Sequence, residues 1–142
     1  MLSLDQALTI SRATLAKGHE QGFAPLCCVV LDPGGHTLVL LRDERASIYR
    51  PEIATGKASG CPGMGFGGRE LAKRAVAAPH FFTGLQAIFT KGIIPVPGGV
   101  LIRDGDGVLV GAVGVSGDTS DNDEIAAVAG IEAAGYHADT GA

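Results

Sequence analysis

Two stretches of the chain share one pattern, and that pattern constrains the fold more than any other feature. Leu26 to Leu31 is an apolar run, followed by the turn residues Asp32-Pro33-Gly34-Gly35 and a second apolar run from Thr37 to Leu41. Val100 to Ile102 is likewise followed by Asp104-Gly105-Asp106-Gly107 and then by Val108 to Ser116. Turns this short, rich in Asp, Pro and Gly, join antiparallel neighbours, whereas parallel strands need a long crossover. Each stretch therefore reads as a β-hairpin. Leu26 to Leu31 shows no polar alternation, which predicts a strand buried on both faces.

Helical spacing fills the rest. Ser3 and Gln6 form a capping-box pattern, and Leu4, Ala7, Leu8, Ser11 and Leu15 then share one face up to Gly18, predicting a helix over Leu4 to Lys17. A second helix is expected from Pro51 to Ser59, with Pro51 tolerated in its first turn. The glycine-rich stretch Gly60 to Gly68 reads as a connector, and Arg69 to Ala78 as a helix closed by Pro79. His80 to Gly92 carries an apolar helical face of Phe81, Phe82, Leu85, Ile88 and Phe89, weakened by Gly84. Ser120, with Asp121, Asp123 and Glu124, opens an Ala-rich helix that runs through Glu124 to Ala134 and ends near Gly135. The order helix, hairpin, helices, hairpin, helix predicts an α+β fold with a central antiparallel sheet flanked by helices. At 142 residues it is expected to form a single domain over 1–142.

Composition removes several classes of function. A net charge of −4 with no Lys/Arg run argues against nucleic acid as a partner. The absence of a long apolar stretch argues against a membrane partner, and the start of the chain lacks a basic leader pattern, so a cytoplasmic protein is expected. The three cysteines are odd in number, and Cys27 and Cys28 would point to opposite faces of one strand, which disfavours a disulfide framework.

Few motifs carry chemistry. Gly60 to Gly68 lacks the Lys-Ser/Thr ending of a phosphate-binding loop and the preceding strand of a dinucleotide fingerprint. Gly114-Val115-Ser116-Gly117-Asp118 has Asp where a nucleophile elbow needs its second glycine, so Ser116 reads as structural. Asp104 to Gly107 lacks the further ligands of a calcium loop. Asp118, Asp121, Asp123 and Glu124 fit helix capping better than cation binding. Of the four histidines, His36 falls in a turn and His137 in a tail expected to fray. His19, just after Gly18, and His80, before a phenylalanine pair, remain as candidate ligands; a heme iron needs only one imidazole beside an apolar surface. Arg42 at a strand end and Lys57 in a helix of small residues could each meet a carboxylate or a propionate, or equally pair with Asp32, Asp43, Glu44 or Glu52.

The series Val29 to Gly35 with Arg42 downstream, Ser47, Ile53 to Ala58, Pro97-Gly98-Gly99, and Val110 to Gly117 followed by Asp123 resembles the GlcG/HbpS family. That family is also represented by the C-terminal domain of some cobalamin adenosyltransferases, and the resemblance covers about residues 4 to 135. It implies a profilin-like α+β fold, a homo-oligomer, and a small-molecule ligand, heme first, with heme degradation or redox sensing as associated activities. The apolar runs Leu26 to Leu31 and Phe81 to Phe89 also favour an oligomer. Lys57 occupies a recurring family position. The implied heme site lies where the end of helix one, Arg42 and the Lys57 helix converge, with His19 as the leading iron ligand and His80 next. The alternative is an enzyme acting on a small organic acid, its carboxylate held by Lys57 or Arg42. After Lys57 the chain departs from the family pattern: Ser59 to Gly68 stands where a Thr- and Ala-rich continuation is usual.

Overall fold

The computed structural model describes all 142 residues. The elements in order are α1 (Leu4–Gln21), β1 (Cys27–Leu31), β2 (Thr37–Arg42), α2 (Arg50–Met64), α3 (Gly68–Ala77), α4 (Pro79–Leu85), β3 (Gly99–Arg103), β4 (Leu109–Ser116), α5 (Ser120–Ala133) and β5 (His137–Asp139). The strands form one antiparallel sheet in the order β2-β1-β4-β3-β5. Both expected hairpins are present, and the fold is the expected α+β type.

Strand alternation sends each strand's side chains to two different helical layers. Cys28, Val30, Val113 and Val115 meet α1 and α5 through Ala7, Ile10, Ala127 and Ile131. On the other face Cys27, Val29 and Leu31 meet Ala54 and Ala58 of α2, while Leu101 and Ala112 meet Cys61, Leu71 and Phe82. β1 is buried along its whole length because it is central and covered on both sides. All three cysteines are buried free thiols, and burial raises Cys27 to about 11 and Cys28 and Cys61 to about 12.

Several local expectations are corrected. α1 does not stop at Gly18 but runs on to Gln21 and ends at Gly22, whose φ of 69° suits a left-handed cap. Gly18 is there for contact: a Cβ would lie 2.6 Å from the Leu26 side chain. The stretch beginning at Gly60 is not wholly a connector, since α2 continues through it to Met64. Gly56, Gly60 and Gly63 form a stripe along the helix against which Ile94, Ile93 and Phe89 pack, with added Cβ atoms at 2.9, 2.9 and 2.5 Å. In the region expected to be ambiguous, Pro79 opens a short helix that ends at Leu85. Thr119, not Ser120, caps α5, accepting from the N–H of Asn122. His137 is exposed but does not sit in a frayed tail, because it belongs to β5, paired with Arg103 of β3.

Candidate functional site

One end of the sheet gathers most of the chain's charged chemistry. Cys27 at the start of β1 pairs with Arg42 on one side and with Ser116 on the other, so the ends of β2 and β4 lie beside it. α1 delivers His19 to this end from its last turn. The His19 Nε2 lies 2.8 Å from Asp43 Oδ2; the imidazole is 67% exposed and the carboxylate only 10%. Asp43 also accepts from the Arg45 N–H, and these contacts, the His19 bond foremost, hold its carboxyl below the usual carboxylate range.

Arg42 shapes the following loop by donating from Nη1 to the carbonyl oxygens of Asp43, Glu44 and Ala46, the last at 2.9 Å. Arg50, at the start of α2, donates to Ser47 Oγ at 3.2 Å and to Ser116 Oγ at 3.0 Å, the latter hydroxyl fully buried. The loop also holds Ile48 and Tyr49 outward, 79% and 68% exposed.

Lys57 lies at the same end but inside. Its seat is a pair of facing glycines: Gly99 of β3 is in register with Gly114 of β4. A Cβ on Gly114 would strike the Ala54 carbonyl, and one on Gly99 the Lys57 carbonyl, so α2 rests almost directly on strand backbone. Gly98, with a φ of 110°, leaves room for the lysine stem; a Cβ there would lie 3.0 Å from Nζ. The side chain then reaches Asp123 of α5, Nζ to Oδ2 2.9 Å, with the two side chains 4% and 1% exposed. The second Asp123 oxygen accepts from the Asp118 N–H at 3.0 Å. Burial pushes the Asp123 carboxyl up, and the Lys57 bond and charge pull it back. Asp118 accepts from the N–H groups of Ala24 and Thr119 and from Asn122, which hold it below the usual range.

The sheet end thus brings His19 and Arg42 together at the surface and places Lys57 beneath, bound to Asp123. His80 stands apart, exposed in the first turn of α4. Sequence reasoning missed Arg50, missed that Lys57 pairs with Asp123, and missed a cavity elsewhere. A lone lysine among Ala, Gly and Ser in a helix was itself a signal of a buried counter-ion. The other acids of the α5 start also have protein partners: Asp121 and Glu124 both take Arg69 of α3. The cavity lies at the opposite end of β1 and β2, under their turn, with a volume of about 360 Å³ and His36, Ser59, Pro62, Phe89 and Lys91 among its walls.

The family model described as "Haem degrading protein HbpS-like" matches residues 2–132. An uncharacterised 15.0 kDa protein from the dhaT-dhaS intergenic region of Citrobacter freundii is 30% identical over 131 residues, covering 92% of this chain and 90% of that one. A crystal structure of HbpS superimposes with a TM-score of 0.80 at 31% identity, covering 92% of this chain and 88% of the other. A crystal structure of a PduOC:heme complex does so with a TM-score of 0.81 at 25% identity, covering 93% and 94%.

Proposed function

The chain belongs to the HbpS-like family, and from that premise we propose that it binds heme at the sheet end, with His19 as the axial ligand. The observation that carries this reading is the His19–Asp43 pair. Imidazoles that bind metals commonly give their other ring nitrogen to a carboxylate, which fixes the ring and raises its basicity. Here Nε2 is the nitrogen given to a nearly covered carboxylate, which leaves Nδ1 of the outward-facing imidazole for the iron. The donor set fits the group in a second respect. Arg42 uses only Nη1 on the loop carbonyls, and its remaining donors suit a propionate.

When bound, heme would supply a redox-active iron. The chain's own contribution is to orient His19 through Asp43 and to offer the Arg42 guanidinium. The loop that follows Asp43, the partner of His19, leaves Ile48 and Tyr49 exposed, so we assign the covering role to a second copy of the chain in a homo-oligomer. Lys57 has its ammonium committed to Asp123, and we assign it to holding α2 in place rather than to a ligand carboxylate.

Hemin titration tests the proposal. A Soret band should rise to saturation at equimolar heme, and His19→Ala should shift or abolish it with the far-ultraviolet dichroism unchanged. Arg42→Gln should weaken affinity about tenfold, the worth of one charge-assisted hydrogen bond. Tight binding with an unaltered spectrum in His19→Ala would remove His19 from the site and move the test to His80 and His36.

A further inference from the structure

The cavity under the β1–β2 turn is remote from that site. His36 and Asp43 flank opposite ends of β2, and at a rise of about 3.3 Å per residue roughly 20 Å of strand separates them. Its volume, about 360 Å³, lies within the range of small-molecule sites. Its walls come from three separate segments: the β1–β2 turn, the C-terminal half of α2 and the turn at residues 88–91. Gly63 allows the Phe89 ring to lie directly on α2. Pro33 and Pro62 add two further rigid apolar rings to the wall.

The charge of this cavity is one-sided. Lys91 donates to the Gly35 carbonyl, tying two of the wall segments together. An ammonium has three N–H donors, so two remain, and no carboxylate lies within ion-pairing distance of it. His36 supplies a second basic group, and none of the eleven wall residues is acidic. The nearby Asp32 carboxylate accepts from the Gly34 and His36 backbone N–H groups through Oδ1 and is not itself part of the wall. Glu52 lines only the adjoining hollow beside α2. The Pro62 and Phe89 rings beside an unneutralised ammonium select a ligand that has a ring and one negative charge.

The geometry points to a second binding site, for a small aromatic carboxylate, with its ring against Pro62 and Phe89 and its carboxylate on Lys91.

The test is a backbone-amide NMR titration of the heme-free protein with benzoate, and in parallel with benzyl alcohol, its neutral counterpart. Benzoate should give saturable shifts at Gly34, His36, Ser59, Gly63 and Lys91, and bind at least about tenfold more tightly than benzyl alcohol, as expected for a charge-assisted hydrogen bond. Lys91→Met should remove that preference and Lys91→Arg should restore most of it. His19→Ala should leave benzoate binding unchanged, which separates this site from the heme site. Shifts that do not saturate, equal binding of the two probes, a preference that survives Lys91→Met, or loss of benzoate binding in His19→Ala would each overturn the assignment.

Discussion

The two faces of the sheet are covered by different means. Toward α1 and α5 the strands offer valines and isoleucines, and a single continuous cluster of fifteen buried residues fills the space. Toward α2 the apolar residues divide into two smaller clusters, and between them Gly99 and Gly114 let the helix sit on bare backbone. The first face is held apart by side-chain volume, the second drawn together by its absence. The consequence is positional: the close seat of α2 is what allows Lys57 to pass Gly98 and reach Asp123 on a helix of the opposite layer. The ion pair is therefore a buried lock between the two faces, with Arg69 of α3 on Asp121 and Glu124 of α5 as its more exposed counterpart.

Breaking that lock should have the largest effect. Lys57→Ala leaves Asp123 buried without its partner and should cost about 3–5 kcal/mol, measured by urea unfolding, while the Lys57→Met/Asp123→Leu double variant should recover most of the loss. Equal instability in the single and double variants would show that packing, not charge, holds the junction. A smaller pair of effects sharpens the contrast between the faces, because Val113 and Gly114 are neighbours in β4 that point to opposite layers. Gly114→Ala adds one methyl against helix backbone that cannot move aside and should cost about 3 kcal/mol. Val113→Ala removes two carbons from the other core and should cost about 2 kcal/mol. If the valine change were the worse of the two, the backbone seat would not be rigid.

The smallest effect is in the acid limb. Asp43 and Asp118 have carboxyls held below their ordinary values, so below about pH 4 the unfolded chain binds protons that the folded one resists. Their stabilisation is present above that pH and lost as pH falls through the folded values. Burial shifts Asp123 the other way, opposing the trend. Asp118→Asn should lower stability by about 1 kcal/mol at neutral pH and flatten the acid limb of the stability curve.

This contrast also explains what could be read from the sequence. The first face announces itself through Leu4, Ala7, Leu8 and Ser11 and through the apolar hairpin strands, since their signals are periodic and local. Gly60 and Gly63 of α2 looked like a connector because what justifies them, Ile93 and Phe89, comes some thirty residues later. Lys57 and Asp123 are 66 residues apart, and no spacing rule links them. His19 and Arg42 were singled out individually, but the partner that orients His19, Asp43, became evident only once α1 was seen to continue past Gly18. β5 is three residues, His137 to Asp139, too short and polar to stand out.

The buried thiols give each face its own internal clock. Cys27 and Cys28 are chain neighbours, yet Cys27 lies under α2 and Cys28 under α1 and α5, with Cys61 on the α2 side as well. A thiol that is covered and held above pH 10 does not react with a disulfide reagent at neutral pH until its layer opens. Labelling rates followed cysteine by cysteine would therefore time the detachment of one helical layer against that of the other, without any probe having to be introduced.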